Sequence, residues 1–489
     1  MNRICFIFFL LHLFLIQSCV TKKWHNPLEQ TLTQQEATEE LRTLTGVLQR
    51  AHPSLYLYVS KNGFQQIADS IQATIKNDIT VAQLYSKYAF LINTVGCSHT
   101  SVEYPGYIYD TLQNKEWFFP YSLKLIEGKI VVNNIGYDLP QGTEIKDING
   151  VPVSKLLDNI YYYYTIDGRA RYCQKELATE DFALYYFYRY GKQTQFKMTI
   201  TDTNGVTKYV TEKPVSLKEW NARDYDYKYY YDQTGVDYDL YFTSKEDCAV
   251  IRLCTFKYEE QEKQQAFENF CSNTFDLLSR KPSVKKLVID LRENTGGELY
   301  NCFLLYSYLA PKPFNEYEKV VSKINHIPYP ELLDEDFAER QDDINNRIKS
   351  DFTSSNTSGY YIYADTLIQK WEPQGRHFNG DVYVVTNPRV SSSASYFSLL
   401  VKNSHTGKIV GEETSGSASA GNGFSILEYT MPKSKIKLLL PYAHLVYTYK
   451  DINTGQGVRP DYYIPDNLES FKKNKDRQIT FINDSLNKN

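Results

Sequence analysis

The chain has 489 residues, long enough for roughly two to four domains with ample core, so a small disulfide-stapled fold is excluded. Apolar residues make up 42% and charged residues 23%, too apolar for a disordered chain; 54 basic against 58 acidic residues leave a formal charge of −4, with no electrostatic footprint for nucleic acid. The outlier is 43 Tyr with 25 Phe and 4 Trp, an excess that favours β-rich surfaces and names no activity.

Residues 1–18 open on Arg3 and run apolar from Ile4 to Ile16, broken by His12, which is too short for a permanent transmembrane helix and reads as a signal peptide. The run ends in Ser18-Cys19, a small residue followed by cysteine that resembles a bacterial lipobox, although Gln17 is unusual there. The expectation is a lipoprotein acylated at Cys19, held at the bacterial cell envelope on the periplasmic side or at the outer membrane. Residues 19–34 are polar and irregular and suit a tether.

Residues 35–104 show apolar residues at helical spacing in Thr38 to Ala51, Phe64 to Asn77 and Val81 to Val95, which predicts an N-terminal helical region. That region closes on Val95-Gly96-Cys97-Ser98-His99-Thr100, where a histidine after a helix can serve as a general base. From 105 to 215 short alternating runs such as Lys129 to Asn133 are separated by Gly, Asp and Asn turns, predicting a small β-rich module. Its string Gly142 to Val153, with an Asn149-Gly150 turn and a helix from Ser154, resembles the second half of a PDZ domain.

The remainder, 216–489, begins with the Tyr- and Asp-crowded tract Trp220 to Phe242, read as strand and linker. Strand, helix and strand then alternate through Ala249 to Thr255, Glu260 to Leu278 and Val284 to Leu291, the pattern of an α/β domain. A polar stretch, 311–378, interrupts it as a lid or an insertion before the buried run Val382 to Thr386. The six cysteines beyond Cys19 form neither CxxC pairs nor zinc-like spacings and read as buried free thiols.

Two segments here can carry chemistry. Asp290-Leu291-Arg292-Glu293-Asn294-Thr295-Gly296-Gly297 is a buried strand entering a turn whose paired glycines can bare backbone N–H groups to an oxyanion. Val390-Ser391-Ser392-Ser393-Ala394-Ser395 opens an apolar helix; a serine there is commonly a cap, yet the position also suits a nucleophile beside the next residue's N–H.

Taken in order, Ser98-His99, the PDZ-like module, Asp290 to Gly297, Ser393-Ala394-Ser395, Ile409 to Gly416 and Gly455 to Asp461 resemble peptidase family S41, which holds the carboxyl-terminal processing peptidases and the tricorn core peptidases. The resemblance implies an α/β fold: a ClpP/crotonase-like catalytic domain with an N-terminal helical region and an inserted PDZ-like module. It implies Ser393 as nucleophile, His99 as base, Ser98 in the supporting network, and an oxyanion hole from the N–H of Ala394 and of Gly296 or Gly297. The lysine of the processing branch falls on Ser417, so a Ser-Lys mechanism is not expected. The glutamate of the tricorn-like branch falls on Thr454, leaving Asp451 either as its substitute or as a solvent-facing turn residue.

The function so implied is an exported, membrane-anchored serine endopeptidase that cleaves peptides or unfolded segments without metal or other cofactor. The alternative is a catalytically inactive relative that binds peptides or hydrophobic ligands on the same scaffold.

Overall fold

The computed structural model describes residues 27–134, 137–222, 237–244, 246–355, 358–423, 425–448 and 455–484. Cys19, Asp451 and Thr454 therefore lie outside the described residues, as does most of the Trp220 to Phe242 tract. Part of the stretch read as tether is packed: Thr31–Leu32 pairs antiparallel with Ile79–Thr80. Helix α1 (Gln34–Ala51) starts at a reciprocal cap between Thr33 and Glu36 and buries Leu41, Leu44, Val47 and Leu48. Helix α2 (Lys61–Ala73) packs on it, and α3 (Val81–Asn93) packs on α2. Strand β1 (Ser101–Glu103) follows, and its partner is Lys437–Pro441, more than three hundred residues on. That pairing ties the histidine-bearing loop to the C-terminal half of the molecule.

The next module is a sheet of β2 (Leu123–Ile126), β3 (Lys129–Val132), β4 (Glu144–Ile148), β5 (Phe196–Thr201) and β6 (Thr207–Glu212), ordered β6-β5-β4-β3-β2. Asn149 and Gly150, both at positive φ, make the turn into Val151–Pro152, where the Asn-Gly pair has the backbone freedom the turn needs. Between β4 and β5 run helix α4 (Arg171–Glu180) and the aromatic helix α5 (Phe182–Tyr190). Much of the Tyr and Phe excess is spent here: Tyr163 and Tyr188 pack ring to ring with Tyr85 of α3, Tyr185 stacks on Tyr163, and Phe119 packs on Phe182 and Phe196.

The remaining chain builds a six-stranded sheet ordered β7-β8-β9-β10-β11-β12, from β7 (Tyr238–Phe242), β8 (Cys248–Leu253), β9 (Lys286–Asp290), β10 (Asp381–Thr386), β11 (Lys408–Gly411) and β12 (Tyr462–Tyr463). Only β7 is antiparallel; the other pairings are parallel. Every residue of β8 and β9 is buried, as a parallel sheet covered on both faces requires. One face, with Ala249, Ile251, Leu287 and Ile289, joins the main core under α6 (Gln261–Ser279) and α7 (Ser392–Asn403). The other, with Cys248, Val250, Val288 and Val385, is covered by Ile482 of the C-terminal helix α8 (Arg477–Asp484).

The interruption at 311–378 is not a loose flap, because its strand Lys319–Ser322 pairs with Ala443–Val446 in a second sheet. Of the six described cysteines, all free, only Cys254 is not buried. Among the described residues no helix is long and apolar enough to cross a membrane.

Candidate active site

The site lies at the carboxyl ends of β9 and β10, neighbouring parallel strands with Asp290 opposite Val385. From β9 the chain makes the turn 291–297, fixed by side chains. Arg292, 1% exposed, forks onto Asp290 through Nε (2.9 Å) and Nη2 (2.6 Å), reaches Asp476 at 2.7 Å and donates to Gln478 at 3.1 Å. The Asp-Leu-Arg triplet thus clamps the strand end to the segment entering α8. Asn294 Oδ1 accepts from Gly296 N–H at 2.9 Å, and Gly296 and Gly297 sit at φ 107° and 132°, conformations that favour glycine.

From β10 the chain runs through Asn387 to Ser391 into α7. Ser391 bonds back to the glycine turn, its hydroxyl donating to the Thr295 carbonyl at 2.9 Å. Ser392 holds a left-handed φ of 48°, rare for a residue with a Cβ. A Cβ on Gly296 would stand 2.7 Å from Ser392 Cβ, and one on Gly416 would stand 3.0 Å from the Ser392 nitrogen. Glycines therefore flank this serine on two sides, as close backbone approach demands.

The base comes from the other half of the molecule. His99 Nε2 lies 3.3 Å from Ser392 Oγ, and His99 Nδ1 lies 3.1 Å from Ser98 Oγ. Gly423 presses against the ring, where a Cβ would come within 2.5 Å of Nε2. The structure thus brings Ser392, not Ser393, to the histidine. Ser393 is 1% exposed and its Oγ has no hydrogen-bond partner among the described residues.

The one-residue difference carries through to the backbone donors. Ala394 N–H is engaged with the Ser391 carbonyl at 3.0 Å and Gly296 N–H with Asn294, so neither is free to face an oxyanion. Ser393 N–H, in the first turn of α7 where intrahelical acceptors are missing, stands 3.1 Å from where a Gly296 Cβ would be. Gly297 N–H has no backbone acceptor among the described residues. Ser393 and Gly297 are the N–H groups left at this spot.

Behind His99, burial keeps Cys97, His444 and His52 neutral. Burial pushes the Cys97 thiol up to about 12. Burial also lowers His444 to about 4 and, at the far side of Thr100, His52 to about 3. Cys97 Sγ, a ring nitrogen of His99 and a carboxylate oxygen of Asp167 lie within 4.8 Å of one another. Tyr396 is a core residue stacked on Tyr447 at 3.8 Å.

Sequence reasoning missed Ser392 and Asp167. Three consecutive serines carry no local signal for which of them takes the strained φ, and Asp167-Gly168 reads as an ordinary turn.

Residues 247–464 match the model of peptidase family S41. Among solved structures the chain is similar to mature CPAF, at 15% identity and a TM-score of 0.61, over 92% of this chain and 96% of that one. It is likewise similar to mature CPAF complexed with lactacystin, at 15% identity and a TM-score of 0.61, over 93% and 98%. A putative peptidase from Parabacteroides merdae is 11% identical with a TM-score of 0.47, over 93% and 97%. No curated protein matches. Its 247–464 segment matches that family, its overall fold is shared with CPAF, and a serine meets a histidine above a parallel sheet, the features of a serine-type hydrolase of peptide bonds.

Proposed function

We propose that this protein is an exported, lipid-anchored endopeptidase that cleaves peptides or unfolded protein segments, with Ser392 as nucleophile and His99 as general base. The observation that carries the reading is Ser392 Oγ on a left-handed backbone, 3.3 Å from His99 Nε2. Ser392 Oγ attacks the scissile carbonyl carbon as its proton passes to His99 Nε2, and the carbonyl becomes an oxyanion received by the N–H groups of Ser393 and Gly297. Collapse breaks the C–N bond, and the leaving amine takes the proton from His99. Water then attacks the acyl-enzyme, gives its proton to His99, and releases the new carboxylate while Ser392 recovers its hydrogen.

Residues 105–215 act as a PDZ-like capture module that takes an extended segment by strand addition. The sheet's outer strand β6, whose Tyr209 is exposed, supports that role. Cys19 carries the lipid that holds the protein at the cell envelope.

Fluorophosphonate labelling and casein hydrolysis test the assignment in wild type, Ser392→Ala, Ser393→Ala and His99→Ala. Ser392→Ala should abolish labelling and lower kcat by about 10⁶, whereas Ser393→Ala should stay within about tenfold of wild type. Loss in Ser393→Ala with activity kept in Ser392→Ala would return the nucleophile to Ser393. Well-folded wild type that neither labels nor hydrolyses would favour a ligand-binding relative.

A further inference from the structure

A base that becomes an imidazolium needs an anion near it, and the residue at the place of the expected glutamate is Thr454. The segment Thr165 to Arg169, between the module's β4 and α4, crosses the back of the histidine loop. Gly168 N–H donates to the Gly96 carbonyl at 2.9 Å, Arg169 N–H to the Gly455 carbonyl at 2.8 Å, and Thr165 Oγ1 to the Ser98 carbonyl at 3.4 Å. The passes are close: a Cβ on Gly168 would stand 2.6 Å from Gly455 Cα, and one on Gly96 would stand 2.9 Å from the Gly168 carbonyl oxygen. The middle of this strap is Asp167, 5% exposed, whose Oδ1 accepts the Ser98 N–H at 2.8 Å and whose carboxylate lies within 4.8 Å of a His99 ring nitrogen. No lysine or arginine among the described residues forms an ion pair with it.

We propose that Asp167 is the positioning carboxylate of this active site, delivered by the inserted module, which orients His99 through Ser98 and stabilises its protonated form.

This rests on the Ser392 and His99 assignment above. For Nε2 to accept the serine proton, Nδ1 must carry hydrogen, and Nδ1–H donates to Ser98 Oγ, 3.1 Å away. Asp167 holds Ser98 by its backbone and so fixes that acceptor. Lacking a cationic partner, its charge is complemented when His99 is protonated in the transition state, an interaction stronger there than in the ground state. The other titratable groups facing the pair are Cys97 beside His99, Tyr58 after α1, and Tyr447 after the strand Ala443–Val446. Each is pushed up by burial and then affected by the Asp167 charge or its neighbours, so each stays neutral at working pH.

The test compares Asp167→Asn, which keeps an oxygen to accept the Ser98 N–H while removing the charge, with Asp167→Glu, Ser392→Ala and His99→Ala in the full-length protein. The readouts are peptide hydrolysis across pH and thermal melting. Asp167→Asn should lose about 10² to 10⁴ in kcat with KM little changed and Tm near wild type. The acid limb of its kcat/KM profile should move down by about one pH unit, because the imidazolium loses its anion. Asp167→Glu should recover part of the rate and the wild-type limb.

Asp167→Asn within about threefold of wild type, while Ser392→Ala and His99→Ala are dead, would overturn the proposal and leave the Ser-His reading standing. A fall in kcat with an unmoved acid limb, or a fall matched by lost melting in both Asp167 variants, would also overturn it, by showing a structural role alone. Activity unaffected in Ser392→Ala and His99→Ala would remove the underlying reading instead.

Discussion

The two halves of the site are built by different means. The serine half is local to the central sheet: Gly296, Gly297 and Ser392 leave adjacent parallel strands, and hydrogen bonds of the turn itself, such as Asn294 to Gly296 and Ser391 to Thr295, hold them together. The base half is assembled at long range, from a loop after α3, a strap from the module and Gly423 near the C-terminal hairpin. Its parts meet through glycines too close for a Cβ. A nucleophile held by its own turn tolerates movement elsewhere, whereas a base held by three remote segments depends on all of them.

The clearest way to break the serine half without touching its chemistry is Arg292→Met. It strips the buried Asp290 of its partner, and breaking such a pair costs about 3–5 kcal/mol, which a denaturant melt would read directly. Next in size is Gly296→Ala, whose Cβ would stand 2.7 Å from Ser392 Cβ at a φ that favours glycine. Displacing the serine and its N–H donors should lower kcat by about 10²–10³, measured on a peptide substrate beside an unchanged far-ultraviolet spectrum. On the base side, Gly168→Ala drives a Cβ into Gly455 and should shift His99 rather than Ser392. A misplacement of about 1 Å costs about 10²-fold in rate. If the two halves are independent, fluorophosphonate labelling of Gly168→Ala recovers when exogenous imidazole replaces the displaced base, whereas that of Gly296→Ala does not.

The same contrast decides what the sequence could disclose. The Gly-Gly turn, the serine run and the Ser98-His99 pair were all visible as short strings, because local turns must be written locally. The alternation of strand, helix and strand also announced the α/β domain, whose β8 and β9 are buried along their whole length. Register was not legible: that Ser392 rather than Ser393 takes the strained φ depends on how β10 meets the glycine turn, not on the serines themselves. Nor was Asp167, because its meaning comes from a strap of the module lying against Gly96 and Gly455, far away in sequence. The β1 pairing with Lys437–Pro441, which fixes the histidine loop, is hidden for the same reason.

A smaller effect links the serine half to the module. Arg389, three residues before Ser392, pairs with Glu293 of the glycine turn at 3.1 Å and with Glu180 at the end of α4. Burial raises Glu293 to about 7, with Glu180 and Asp290 pushing the same way and Arg389 and Lys124 opposing. An acid raised above its unfolded value of about 4.3 binds its proton more tightly when folded. Its stabilising contribution is therefore full below about pH 4 and is lost as pH rises through 7. The wild type should lose on the order of 2–3 kcal/mol of stability between pH 5 and 8 from this group, and Glu293→Gln should flatten that slope in a series of melts. Because Glu293 sits between Arg292 and Asn294 in the turn, the slope reports on the serine half: Glu293→Gln should alter it while leaving the acid limb of hydrolysis, which belongs to His99, where it is. A shift of both together would show that the two halves titrate as one unit.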